Sequence, residues 1–132
     1  MFFLGKKPPA VPPAINAQAR GRAGEDQALA YLQAQGLQLI ARNYRTPGRG
    51  GGEIDLILQE ADGTVVFVEV RSRSHAGFGG AGGSIGQTKR QRIVLAAQHW
   101  LLHRGVQAAC RFDVVLIDAE RQQWLRAAFD AS

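Results

Sequence analysis

The chain has 132 residues, a length that suits one domain. Apolar residues make up 45% and charged residues 20%, which excludes a disordered polyelectrolyte. Sixteen Lys and Arg against eleven Asp and Glu leave a net charge of +5, which permits a polyanionic partner without requiring one.

Residues 1 to about 15 hold Pro8, Pro9, Pro12 and Pro13 and read as an extended tail, because such a run can neither continue a helix nor pair as a strand. The single domain then covers 16–132. Asn16 can cap a helix from about Ala17 to Gln35, ended by Gly36. Gly21 and Gly24 weaken that helix by roughly 1 kcal/mol each relative to Ala, so either it starts later or something packs closely there. Three strand-like runs follow, Leu37 to Arg45, Glu53 to Gln59 and Thr64 to Arg71, the last rich in β-branched and aromatic residues. A glycine-rich loop occupies 72–86. A second helix spans about Gln87 to Arg104, with Ile93, Val94, Ala97, Trp100 and Leu101 at helical spacing. Cys110 to Ile117 forms a fourth strand, and Trp124 to Phe129 can add a short fifth. The order αβββαβ describes an α/β fold, with a sheet covered by helices.

A single cysteine, Cys110, excludes an internal disulfide and a multi-Cys zinc module, and reads as an inert buried thiol. Phe2-Phe3-Leu4 is too short for a signal peptide or a membrane span, so the chain reads as cytoplasmic.

Carboxylates in apolar surroundings carry the functional signal. Glu25, Ala28, Leu29 and Leu32 share the apolar face of the first helix. Glu25 there needs a cation, a donor or a metal, unless it lies at the stripe's edge as a first-turn acid. On the next strands stand Glu53-Ile54-Asp55 and Glu69-Val70-Arg71. A three-residue loop Ala61-Asp62-Gly63 pairs Glu60 with Thr64 and sets Asp55 opposite Glu69. A two-residue loop would instead separate the two acids onto opposite faces. In the first register Glu25, Asp55 and Glu69 can ligate Mg²⁺ (or Mn²⁺), and Arg71 can hold the scissile phosphate. The same residue pairs also occur on ordinary solvent-facing strands.

Gly24-Glu25-Asp26-x-Ala28, Arg42-Asn43-Tyr44-Arg45, Gly52-Glu53-Ile54-Asp55-Leu56-Ile57, Phe67-Val68-Glu69-Val70-Arg71-x-Arg73 and Arg111-Phe112-Asp113-Val114-Val115 together resemble the YraN-like bacterial family over about residues 20–129. That family's pattern places it within the PD-(D/E)XK endonuclease superfamily, near the Holliday-junction resolvases. The resemblance implies a restriction-endonuclease-like αβββαβ core with a mixed sheet. It also implies a metal site of Glu25, Asp55 and Glu69, with help from Gln87 or Lys89 at the start of the second helix. Its resolvase likeness suggests a homodimer. Ile54 stands where the superfamily has proline, and Arg71 where it has its signature lysine. Arginine keeps its proton and cannot serve as a general base, although it can stabilise charge.

Arg42, Arg45, Arg49, Arg73, Lys89, Arg90 and Arg92 fall on strand ends, glycine loops or the helix start. They are candidates for phosphate contacts of strong salt dependence, or for an ordinary solvated basic surface. Other patterns fail on context. Gly77, Gly79 and Gly82 lie too far past the strand for a dinucleotide loop, and a G-x-S-x-G hydrolase around Ser84 needs a His after the acid, whereas no His follows His103. His99 and His103 sit four apart on a helix but lack the Glu of a zinc protease, and read as surface or half-buried histidines; Trp100 and Trp124 read as core aromatics. The expected function is a Mg²⁺- or Mn²⁺-dependent endonuclease acting on branched or structured DNA. The alternatives are a non-cleaving nucleic-acid module on the same fold, or a scaffold docking an acidic protein.

Overall fold

A computed structural model describes residues 16–72, 85–118 and 121–131, with the backbone alone for 16–20. The proline-rich tail, Arg73 and most of the 72–86 glycine loop lie outside the described residues. The elements are α1 (Asn16–Ala34), β1 (Gln38–Arg45), β2 (Glu53–Gln59), β3 (Val65–Ser72), α2 (Gln87–Arg104), β4 (Cys110–Ile117) and β5 (Gln122–Phe129). The strands form one mixed sheet in the order β1-β2-β3-β4-β5. All neighbours are antiparallel except β3 and β4, which α2 joins as a parallel crossover. The fold is α/β.

The period-2 alternation of β2 and β3 divides the core between the two helices. Leu56, Leu58, Val66 and Val68 pack with Ala28 and Leu32 of α1. Ile57, Val65 and Phe67 pack with Ile93, Ala97 and Trp100 of α2 on the opposite face. Both faces are therefore covered, which is why β3 reads as a nearly continuous apolar run.

Local chemistry sets the boundaries. Gly36, at φ 100°, closes α1, and the Leu37 N–H returns to the Leu32 carbonyl at 3.2 Å. Leu37 thus belongs to the helix's end rather than to β1. Thr64 likewise belongs to the turn, its N–H donating to Asp62 Oδ1 at 2.9 Å. β5 begins two residues earlier than the sequence suggests. Gln122 and Gln123 are polar edge residues that pair with Ile117 and Leu116, and they carry no apolar signal. α1 does extend from Asn16 through both internal glycines. Gly24 is buried, and a Cβ there would lie 3.3 Å from Ser72 Oγ, so α1 crosses close over the end of β3.

Two expectations need correction. Cys110 is exposed at the start of β4, because the first residue of this interior strand lies at the end of the sheet where no helix covers it, although partial burial still raises its thiol pKa. Trp124 is only half-buried, lying edge-on to Tyr31 while its indole N–H donates to Asp113 Oδ2 at 2.8 Å. Among the described residues, no helix is long and apolar enough to cross a membrane.

Candidate metal and phosphate site

The β2–β3 turn has the three-residue form: Glu60 N–H donates to the Thr64 carbonyl, and Gly63 takes φ 94°. The register runs from Gln59↔Val65 to Leu56↔Val68 and stops there. One further step would set Asp55 against Glu69, and the next would hydrogen-bond Ile54 with Val70, since bonded pairs alternate along an antiparallel ladder. Instead, Val70 N–H donates to Asp55 Oδ2 at 2.8 Å. The two strands split at this point, and a carboxylate takes the place of a backbone carbonyl. The alternation of β2 breaks at the same residue: Ile54 and Ile57 both pack on the α2 side, while Leu56 and Leu58 pack on the α1 side.

Asp55 lies half-buried in this cleft beside Glu69, which is only 6% exposed. Its carboxyl pKa is pushed up from 3.8 to about 8, first by burial and then by the charge of Glu69, with Glu25 and Glu53 adding to the rise. The Val70 N–H opposes the rise. Lys89, in the first turn of α2, meets Glu69 Oε2 at 2.9 Å.

Glu25 reaches the same neighbourhood from α1 but is held by β1. Asn43 Nδ2 lies 3.1 and 3.2 Å from its two oxygens, and Arg42 lies 3.4 Å from Oε1. Asn43 also reaches Glu53 Oε2 at 3.4 Å, and it does so from a left-handed backbone at φ 51°. Non-glycine residues seldom adopt that conformation, and Asn tolerates it better than most. Among the described residues no three acidic, His or Cys side chains are gathered tightly enough to cage a metal. Asp55 and Glu69 come together; Glu25 stays a neighbour tied to Asn43. Asn43 and Glu53 were absent from the sequence-derived site. The positive φ and the bridging amide that mark them are tertiary features with no local sequence signature.

The basic candidates divide by their partners. Arg71 shares the face of Glu69 along β3 and is half-buried, and its side chain makes no ion pair or hydrogen bond among the described residues. Gln87 and Arg92 are exposed on α2, and Arg49 is exposed in the β1–β2 loop. Arg45 is exposed and meets Glu53 at 3.5 Å. Arg42 is paired with Asp26 at 2.8 Å as well as with Glu25. Arg90 donates through Nε to the Ile85 carbonyl at 2.8 Å and lies over the Phe129 ring, so most of it serves to anchor α2. The glycines of the β1–β2 loop press it against α2: a Cβ on Gly52 would stand 2.2 Å from the Arg92 carbonyl oxygen. Arg49 is thereby carried on a loop docked beside the start of α2.

The fully buried Asp113 is a second charged centre. It accepts from Arg111 Nε, Trp124 Nε1 and the Ala127 N–H, while Arg111 also pairs with Glu60. These bonds span the irregularity in the β4–β5 ladder at Asp113 and are structural.

Comparison with known proteins adds the family. The UPF0102 protein of Acidovorax sp. (strain JS42) is 64% identical over 132 residues, covering 100% of both chains. That of Verminephrobacter eiseniae (strain EF01-2) is 62% identical over 138 residues, covering 98% of this chain and 96% of its own. That of Paracidovorax citrulli (strain AAC00-1) is 65% identical over 114 residues, covering 86% and 84%. The family described as "Uncharacterised protein family UPF0102" matches residues 24–117, a span that runs from the Gly24-Glu25 step of α1 through the end of β4 and takes in every acid around Asp55. This chain therefore belongs to the UPF0102 family, the YraN-like proteins.

Proposed function

We propose that this protein is a divalent-metal-dependent nuclease of the PD-(D/E)XK kind, acting on phosphodiester bonds of DNA, and that its sheet is the restriction-endonuclease-like core. The observation that carries this reading is the Asp55–Glu69 pair at the split between β2 and β3. Evolution of a mere surface would not need two carboxylates side by side in a half-buried cleft, where one must keep a proton near neutral pH. The donor set suits Mg²⁺ or Mn²⁺: hard oxygens from two carboxylates, with water and phosphate oxygens completing the shell. When bound, such an ion polarises a phosphoryl group and supplies hydroxide near neutral pH.

This chain's own residues do the rest. The Val70 N–H fixes the direction of Asp55. Glu69 is steadied by Lys89, whose ammonium can turn from Glu69 to a phosphate or a water when the pair is neutralised otherwise. Arg71, free of internal partners among the described residues, is placed to hold a phosphate and stabilise the charge that grows on it. Gln87 opens α2, whose first N–H groups favour an anion. Arg49 and Arg92 extend the positive surface away from the acids for backbone contacts. Glu25 acts through Asn43 and the local field rather than as a direct ligand.

A second reading is a nucleic-acid-binding protein that does not cleave, favoured by Lys89 already sitting on Glu69 and by arginine in place of the signature lysine. A labelled branched DNA incubated with Mg²⁺ or Mn²⁺ separates the two. Metal-dependent cleavage that disappears in Asp55→Asn supports the nuclease. Salt-sensitive binding with no cleavage under either metal supports the binding protein, and no binding at low salt overturns both.

A further inference from the structure

α2 carries apolar side chains on two opposite faces. Ile93, Ala96, Ala97 and Trp100 are buried against the sheet. Across the helix from them, Gln91, Leu95, Gln98 and Leu102 fall within about 60° of one another around its axis. All four are exposed, Leu95 by 51% and Leu102 by 80%, and the half-buried Val94 and Leu101 adjoin them on one side. Isolated surface leucines are ordinary; an uncharged stripe that continues for about 16 Å along one helix is not. A cavity of about 170 Å³ opens beside Val94 and Leu95, and one of about 330 Å³ beside Leu101, Leu102 and Val106, so the stripe has a recess at each end. Arg92, His99 and His103 form a row along the other margin, and Arg90 lines the first recess together with Asp130. α2 itself contains no Asp or Glu to balance its cations.

We propose that this outward face of α2 docks an acidic amphipathic helix of another protein, its apolar anchors packing at Leu95 and Leu102 and its carboxylates lying along the Arg92–His103 margin. The two leucines stand seven residues apart, which is the two-turn spacing at which a helix laid on a groove presents its own anchors. Gln91 and Gln98 supply amide donors and acceptors between those anchors. Charge decides among the possible occupants. Two copies of this chain paired antiparallel through the stripe would bring both Arg92–His103 margins to the same side, like against like. A lipid surface would bury the two glutamine amides with nothing to bond them. A helix with acids beside its apolar stripe avoids both costs. Lys89 reaches Glu69 from the opposite side of α2, so the docking face and the carboxylate pair are separate surfaces.

The test is fluorescence anisotropy of the full-length chain with labelled peptides of about 18 residues, long enough for a helix to span the stripe. One peptide carries leucine at heptad a and d positions and glutamate elsewhere, a second scrambles the same residues, and a third has lysine in place of glutamate. We expect the first to bind, the scrambled peptide to bind about tenfold more weakly, and the lysine peptide not to bind. The double variant Leu95→Gln/Leu102→Gln, at exposed positions that leave the core intact, should weaken the first peptide about tenfold, and Arg92→Gln should weaken it about threefold. No binding of the first peptide, equal binding of the scrambled one, or unchanged affinity in the double variant overturns the proposal. Leucine-dependent self-association in sedimentation, or leucine-dependent binding to phosphatidylglycerol vesicles, also overturns it and gives the face to a second copy or to a lipid surface. None of these outcomes depends on nuclease activity.

Discussion

The Asp55 carboxylate and the Val70 backbone are joined across the split between β2 and β3, with Val70 N–H donating to Oδ2 at 2.8 Å. The bond satisfies a backbone donor that the ladder has abandoned, and it holds the carboxylate within the field of Glu69. A half-buried acid in the field of another acid is unfavourable when ionised, which raises its pKa and favours the protonated form.

That proton has a consequence for stability. The Asp55 pKa is about 8 in the fold against an ordinary 3.8, so between those values the folded state binds a proton that the unfolded chain has released. The contribution of Asp55 is fully present below pH 3.8 and is lost as pH rises to about 8. In EDTA, urea unfolding should show this component of stability falling across that window and levelling above it. Asp55→Asn removes the dependence and raises Tm at pH 8.5 by about 5 °C, since an amide oxygen still accepts from Val70.

Cation binding at the same pair must displace the proton. Mn²⁺ titrated at pH 7 should release protons, read as a binding enthalpy that varies with the ionisation enthalpy of the buffer. Asp55→Asn should bind Mn²⁺ far more weakly and without proton release. Equal enthalpies in all buffers would separate metal binding from this carboxyl.

Asn43 performs two tasks that substitutions can separate. Its amide holds Glu25 and Glu53, and its backbone tolerates φ 51°. Asn43→Ala loses both and should cost about 2–3 kcal/mol in denaturant unfolding. Asn43→Gly keeps the backbone conformation at little strain, and should be about 1 kcal/mol milder.

Two glycine substitutions should move in opposite directions. Gly52→Ala drives a methyl into the Arg92 carbonyl, which is backbone and cannot swing aside, so it should cost more than about 2 kcal/mol and loosen the β1–β2 loop. A Cβ on Gly21 meets nothing within 4 Å on a helical, exposed position, so Gly21→Ala should stabilise by roughly 0.5–1 kcal/mol. Thermal unfolding of the two variants reads both signs.

Asp113→Ala should be the most damaging of these changes. It leaves Arg111 Nε, the Trp124 indole N–H and the Ala127 N–H without their acceptor in the sheet interior, while Arg111 keeps only Glu60 as an ion-pair partner. A loss of about 3–5 kcal/mol is expected by calorimetry, with the acids around Asp55 untouched by the change.

Much of this was legible from residue order alone. Periodicity located both helices and the first four strands, because 3.6- and 2-residue spacings are local signals. The Ala61-Asp62-Gly63 turn also foretold the register of the β2–β3 hairpin from Gln59↔Val65 to Leu56↔Val68, which stops one step short of setting Asp55 opposite Glu69. Two features escaped: Gln122 and Gln123 of the edge strand pair without an apolar pattern, and Cys110, at the end of an interior strand, stays exposed where a buried thiol was expected.

Tertiary structure decided everything that depends on which distant groups share one volume. It parted β2 from β3 at Asp55, tied Glu25 to Asn43 instead of drawing it into a three-acid cage, gave Lys89 to Glu69, and left Arg71 without a partner among the described residues. The physical reason is that turns and periodicities act between near neighbours. Electrostatic and hydrogen-bond partnerships are chosen instead by burial and by the competition of every donor within reach, and that competition has no address in the linear chain.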